Sequence, residues 1–441
     1  MSSTMTKIQI PYGSRLMDVD IEGKLLAPKS GRSKANSKEQ DVIKHALENP
    51  SGTKKLSEIV NAKKNGKIII VVDDHTRDAP TEKMLDALTE EMGEEHKEHV
   101  TLLVACGTHS PPAEEELKRI LGKHFYQFNV LIHDCDAKDL VYLGTTSRGT
   151  SVTLNRNYVE ANIKILTGDI TLHYYAGFGG GRKSILPGIS SREAIKNNHA
   201  LLVDDHAKTA NIENNPVHLD MSEAASFAPP DFVINTVADG NGNLVDAYAG
   251  DMTAVFLKGA EVAKDLFCRE TGVLFDILVV SAGGFPKDRN LYQATKAVEN
   301  CYRAVVPGGK LILVAECREG IGDMYFEDWM NEYASYEETE GAIRTNFVLG
   351  GHKAFYMRKV MKRVHLSIVS VLNTHILNRW GINAYNSVWE AVEEEKMNIK
   401  DKVKIGIVKN GLDTLLVPTT KIDKGGNKDK QQWQIFRNRR G

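Results

Sequence analysis

Residues able to do chemistry gather in three short stretches. DDHTRDAP (73–80) crowds Asp73, Asp74, His75 and Arg77 into one turn, CGTHSPP (106–112) carries His109, and GDITLHYYAGFGGGRKSILPG (168–188) combines His173, four glycines within 177–181 and Lys183. An arginine fork beside carboxylates suits an anion such as a substrate carboxylate, with Asp74 orienting it or binding a partner. The plainer alternative is an Asp–Arg pair that stiffens the turn. His109 stands before an expected helix with Ser110 as N-cap and Gly122 as terminator. The positive helix end would keep its imidazole neutral and able to accept a proton. A hydrogen-bonding turn histidine is the alternative.

The glycine loop invites comparison with a phosphate-binding P-loop, G-x-x-x-x-G-K-[ST]. Counting from Gly177, the required last glycine falls on Arg182, so the match fails by one residue. Gly179, Gly180 and Gly181 would still expose backbone N–H groups to a phosphate. Beyond the loop, a capping box from Ser190 to Glu193 opens a helix that carries His199. By itself His199 reads as a surface or core residue, and His133 and His206 read as solvated positions. In the second half, Tyr292, Gln293 and Lys296 share one face of a helix in FPKDRNLYQATKAVENCYRAV. That face either carries a solvated lysine or closes a cleft between domains. GGHKA (350–354) and ECREGIG (316–322) suggest no chemistry by pattern.

The elements that must position these residues are short β-branched runs alternating with amphipathic helices. Strands are expected at 67–72, 100–105, 129–133, 163–167, 232–238, 276–282, 310–315 and 403–408. Runs this apolar imply parallel sheets covered on both faces. In such sheets ligands bind beyond the carboxyl ends of strands, where the three stretches above fall. The strand at 276 restarts the pattern after a helical stretch at 252–270, which predicts a boundary near residue 272. The expected fold is α/β, with two Rossmann-like domains of mostly parallel sheet, 1–272 and 273–441, and an interdomain active-site cleft. The first would hold the glycine loop with His109 and His173, and the second would close the cleft. The helix expected after DDHTRDAP should be capped by Thr81 and closed by Gly93, and a polar tail should begin near 420.

Composition narrows the function classes. Across 441 residues, 56 basic and 58 acidic side chains nearly cancel, which argues against nucleic acid or an anionic membrane surface as partner. No apolar run reaches the roughly 18–20 residues of a membrane span. The start lacks the apolar core of a secretory signal, and five widely spaced cysteines without CxxC read as reduced thiols. A cytoplasmic protein is the expectation.

Taken together, DDHTRDAP, the GTH at 107–109, GDITLHYYAGFGGGRKSILPGI, His199 and the YQATK segment resemble the lactate racemase family. That family comprises the nickel-pincer-dependent 2-hydroxyacid racemases and epimerases. The pieces occur in the family's order over nearly the whole chain, and H-x3-G-F-x-G-G-x-K-x3-P-G is the most specific of them. The resemblance implies a nickel-pincer nucleotide, pyridinium-3,5-bisthiocarboxylic acid mononucleotide nickel. Lys183 would be its covalent anchor, Gly179, Gly180, Gly181 and Asp73 would line it, and His199 would complete the square-planar nickel, a set that suits Ni(II).

It further implies that His109 and His173 exchange protons with the substrate while hydride leaves and returns to C2 through a 2-keto intermediate. Arg77, Tyr292, Gln293 and Lys296 would bind substrate, with Asp74 orienting Arg77 or Lys296. The substrate would be a lactate-like, malate-like or sugar-acid 2-hydroxyacid, and cofactor-biosynthesis proteins would be partners. Two positions depart from the family. Ser110 stands where many members have Arg, either capping a helix or bonding a hydroxyl-bearing substrate, and Gly179 stands where serine is common. Two other readings are an ATP-dependent phosphotransferase using 177–184 and a non-catalytic cofactor carrier, which would not need both histidines.

Overall fold

The computed structural model describes residues 8–27, 39–63, 66–397, 399 and 403–419. The expected polar tail lies outside these residues. All eight expected strands form, and each lies within a few residues of its predicted bounds. The chain divides into two compact units, one of residues 30–266 and one joining residues before 30 to those from Phe267 onward.

The first unit is built on a six-stranded sheet. Its order is Leu244–Gly250, Phe232–Ala238, Ile163–Asp169, Ile68–Asp73, Val100–Ala105, Asn129–Ile132, and only Leu244–Gly250 runs antiparallel to its neighbour. Ile68–Val72 are buried on both faces, as a central parallel strand requires. On one face Ile68, Ile70, Val72, Leu102 and Ile165 pack against Ile43 and Leu47 of helix Glu39–Glu48, Met84 and Leu88 of helix Thr81–Met92, and Leu117 and Leu121 of helix Glu114–Leu121. From Ile68–Asp73 the chain order runs outward in one direction, and from Ile163–Asp169 outward in the other. Those two neighbouring strands therefore flank the sheet's topological switch point.

The second unit holds a fully parallel sheet, ordered Asn383–Tyr385, His365–Val369, Val305–Val314, Phe275–Ser281, Ile405–Val408, Lys24–Leu26. Its last strand comes from the chain's beginning. The hairpin Ile8–Tyr12/Arg15–Val19 also places Ile8, Ile10 and Val19 in this unit's core, beside Ile277, Ile312 and Ile407. The division thus differs from the expected 1–272 and 273–441 in two ways. It falls at Leu266/Phe267, and residues 8–27 go with the second half, because Lys24–Leu26 finds its hydrogen-bond ladder on Ile405–Val408. A short strand contributed from far along the chain leaves no local pattern to read.

Several caps move by a residue or more. Thr81 is the first helical residue, after Pro80, and Gly93 closes the helix at φ 90°. Ser191 rather than Ser190 caps helix Arg192–Ala200, accepting from Ala194 N at 3.3 Å, while Ser190 Oγ donates to the Ile185 carbonyl at 2.7 Å. The helix after His109 begins only at Glu114, since Pro111 and Pro112 hold the preceding residues extended. Ser110 therefore caps nothing, and a helix terminus five residues away does not govern His109. His133 is buried, not solvated, and its Nε2 donates to the Ser190 carbonyl at 3.0 Å, holding the loop end.

Candidate active site

Both strands at the switch point end in a carboxylate, Asp73 and Asp169. Burial, and then the negative charge of Asp169, push the Asp73 carboxyl up to about 7, against the opposing pull of Arg77 and Lys183. Burial likewise raises Asp169, against Arg77. Two acids placed so close cannot both ionise cheaply. The exposed Arg77 bears electrostatically on both of them and on His173 and Lys183.

Asp74 points elsewhere. It is 3% exposed; its Oδ1 accepts from Thr76 N at 3.0 Å and Thr76 Oγ1 at 2.6 Å, and its Oδ2 lies 2.6 Å from His109 Nδ1. Burial would raise the Asp74 carboxyl, but the hydrogen bond and charge of His109 and the bonds from Thr76 outweigh it and hold it below the usual carboxylate range. A carboxylate can only accept, so Nδ1 carries a proton, and in the neutral ring the lone pair is on Nε2. The expectation is that Asp74 orients Arg77 or Lys296; the partners its carboxylate shows are Thr76 and His109, whose side chain is 40% exposed.

The glycine loop leaves strand Ile163–Asp169, folds into a two-residue hairpin of Leu172–His173 against Gly177–Phe178, and ends in a single turn, Gly181–Ser184. Arg182 ties it together from inside. Buried to 2% exposure, it donates from Nη1 to the carbonyls of Gly179 (3.3 Å) and Gly180 (3.1 Å), and from Nη2 to those of Ala176 (2.8 Å) and Phe178 (3.0 Å). Its guanidinium lies 4.1 Å from the Phe256 ring centre.

The expected role of the glycines changes accordingly. Gly179 N–H donates to the Thr171 carbonyl at 2.8 Å and Gly181 N–H to Asn235 Oδ1 at 2.9 Å, so neither is aimed at a ligand. Gly180 has φ 73°, and a Cβ there would meet the Asp169 carbonyl at 2.9 Å. Close self-packing, more than access to phosphate, demands glycine at these positions.

Around the Tyr175 ring three expected site residues converge. His173 lies edge-on at 4.4 Å between centroids, His199 at 5.1 Å, and Lys183 Nζ stands 5.8 Å from the ring centre. His173 Nδ1 accepts from Ala176 N at 3.2 Å, which leaves the proton of the neutral ring on Nε2. Burial, then the charges of Lys183 and Arg77, hold His173 well below the ordinary histidine range and therefore neutral. Burial first and Lys183 second lower His199 to about 3. Burial, Arg77 and Arg182 drive the Lys183 ammonium well below its usual range, against Asp73 and Asp169, which favours the nucleophilic free amine.

In the other unit, Asn290 caps helix Leu291–Cys301 and sets Tyr292, Gln293 and Lys296 on one face, where Lys296 Nζ donates to Gln293 Oε1 at 2.7 Å. Burial, then Asp323, raise the Tyr292 phenol. The unassigned GGHKA stretch opens helix Gly351–Arg363 and buries Lys353 with its Nζ 5.4 Å from the Tyr292 ring centre. Sequence reading passed over Asp169, Tyr175 and Lys353. Asp169, as the last residue of its strand, carried a usable signal; the other two sit among residues of ordinary type.

Fold and site together describe an α/β protein whose strand-end loop brings His173 and Lys183 together with His199 around one tyrosine. Residues 12–211 match the family model described as the lactate racemase N-terminal domain, and residues 271–416 match that of the lactate racemase C-terminal domain. A lactate racemase of Thermoanaerobacterium thermosaccharolyticum is 37% identical over 338 residues, 74% of this chain and 78% of the relative. A lactate racemase of Lactiplantibacillus plantarum is 29% identical over 427 residues, 93% of this chain and all of the relative. The solved structure of the lactate racemase apoprotein from T. thermosaccharolyticum superposes with a TM-score of 0.86 at 29% identity, covering 93% of this chain and 100% of that one. A structure from Thermotoga maritima, at TM-score 0.61 and 18% identity, shares the fold. The protein is an isomerase of the racemase class. The chain belongs to the lactate racemase family.

Proposed function

We propose that this racemase inverts C2 of a 2-hydroxyacid, lactate being the first substrate to try, with a nickel-pincer nucleotide as cofactor. The observation that carries the reading is the opposite proton placement on two histidines: His109 offers a lone pair at Nε2, and His173 offers a proton at Nε2. His109 is set to take the hydroxyl proton as hydride leaves C2 and to give it back as hydride returns, while the Nε2–H of neutral His173 donates a hydrogen bond to the substrate oxygen. The bound cofactor would supply the centre that accepts and returns hydride.

The residues present fit such a group. Lys183 favours the free amine needed to form a covalent link, and the single imidazole of His199 would supply one ligand. Among the described residues, the trio of possible metal ligands close enough to share an ion is Asp134, Cys135 and Asp136, which excludes His199. A metal at His199 would thus take its remaining donors from the bound group. Asp73 would lie beside Lys183. The exposed Arg77 suits the substrate carboxylate, whereas Tyr292, Gln293 and Lys296 owe their assignment to the family resemblance. The inward-facing Arg182 and the internally bonded glycine N–H groups count against an ATP phosphate loop. Loading would require cofactor-biosynthesis proteins. Among the described residues no helix is long and apolar enough to cross a membrane.

The test is intact mass and nickel analysis of protein produced together with the cofactor-biosynthesis genes, followed by racemisation assays on separate enantiomers. Added mass at Lys183 with one nickel per chain, and inversion of lactate or another 2-hydroxyacid, is the expected result. Folded protein with neither mass nor nickel would refute the cofactor assignment.

A further inference from the structure

We infer that Asp220 and Asn198 are positioning residues that fix which nitrogen of His199 faces the metal. The inference rests on the proposed metal role of His199 and adds residues the family comparison does not supply. Asp220, Asn198 and His199 are 0%, 0% and 4% exposed. Asp220 Oδ1 accepts from Thr146 Oγ1 at 2.5 Å, and its Oδ2 accepts from Thr150 Oγ1 at 2.7 Å and Asn198 Nδ2 at 2.8 Å. Thr146 Oγ1 already accepts from Thr150 N at 3.0 Å, so its own proton goes to Asp220.

The chain of donors then leaves one solution. Asn198 Nδ2 faces two acceptors, Asp220 and the Val217 carbonyl at 3.2 Å, so its amide cannot be turned over without setting oxygen against oxygen. Its Oδ1 lies 3.2 Å from His199 Nδ1 and is an acceptor, so Nδ1 must carry the hydrogen. The lone pair of the neutral ring is left on Nε2, the nitrogen that would face the metal. Metal-binding histidines are commonly held this way, by a partner on the other ring nitrogen. A buried aspartate with two threonines and an asparagine would serve folding alone equally well, so the test must read the ring and the metal.

In Asp220→Asn the acceptor for Asn198 Nδ2 weakens, the Asn198 amide is held by the Val217 carbonyl alone, and part of the His199 proton population moves to Nε2. On nickel-free protein, 15N NMR of the imidazoles should report that exchange. On loaded protein, nickel retained through dialysis against a chelator should fall about 10–100-fold. Asn198→Ala removes the acceptor without touching Asp220, and it serves if Asp220→Asn does not fold. Unchanged ring protonation and full nickel retention in folded Asp220→Asn or Asn198→Ala would overturn the inference. Full retention by His199→Ala would instead overturn the metal-ligand reading beneath it, and the nickel-free spectra tell the two failures apart.

Discussion

At the scale of single residues, function rests on where protons sit. Asp74 holds the His109 proton on Nδ1, so Asp74→Asn, whose amide can donate to Nδ1, should return the proton to Nε2 and remove the base. We expect kcat to drop about 10²–10⁴-fold with little change in KM or in thermal stability, read in a steady-state assay of either enantiomer. Asp73 gives a prediction of opposite kind. Its folded-state pKa of about 7 lies above the ordinary value of 3.8, so the folded protein holds more protons than the unfolded chain between those limits. The contribution of this group to stability therefore falls as pH rises from about 4 to about 7 and is flat above. Nickel-free Asp73→Asn should melt above the wild type at pH 8, and the gap should close near pH 4. The identities of these residues were plain in the sequence, but their partners were not. The Asp74–His109 pair joins two loops 35 residues apart, and nothing in either stretch says which acid meets which base.

At the scale of elements, the glycine loop is a frame organised by a buried cation. Losing the Arg182 guanidinium would strand carbonyls of residues 176, 178, 179 and 180, at about 1–3 kcal/mol for each one left unsatisfied. Arg182→Met should therefore lower the melting temperature by roughly 10 °C or more, on the scaling of about 2–4 °C per kcal/mol for a unit of this size. Nickel loading should fall with it, as a melting curve beside a metal assay would show. Gly180→Ala, forced into the left-handed region against the Asp169 carbonyl, should give a milder version of the same loss. The spacing of glycines pointed to this loop but misread its reason, since the sequence cannot show that Arg182 turns inward and occupies the carbonyls. The helix expected at Ser110 failed similarly: two prolines delay its start, and tertiary bonds to Asp74 replace the expected dipole in governing His109.

At the scale of the molecule, the two units are compact but not sequential. Residues 273–441, the second half as the sequence would cut it, lack strand Lys24–Leu26 and the Ile8–Tyr12 hairpin. Such a fragment exposes the backbone edge of Ile405–Val408 and part of the core around Ile277 and Ile407. It should aggregate or elute as large species in size-exclusion chromatography, whereas a fragment of residues 30–266 keeps its whole sheet and should elute as a folded monomer with native-like circular dichroism.

The sequence by itself determined the alternation of strand and helix, the parallel character of the sheets and the positions of reactive strand ends, because β-branched runs, amphipathic period and strand-end loops are local properties. It also held the family's ordered motifs, through which His109, His173, Lys183 and His199 could be singled out. Only the tertiary structure decided that Asp74 serves His109, that Asn198 and Asp220 stand behind His199, that Arg182 belongs to the loop's interior, and that the chain's beginning completes its far half. Asp74–His109, Asn198–Asp220 and the strand Lys24–Leu26 join segments distant in the chain, while Arg182 bonds near neighbours but turns inward only in the folded loop; each depends on which hydrogen-bonding groups are buried together, and burial is a property of the assembled fold.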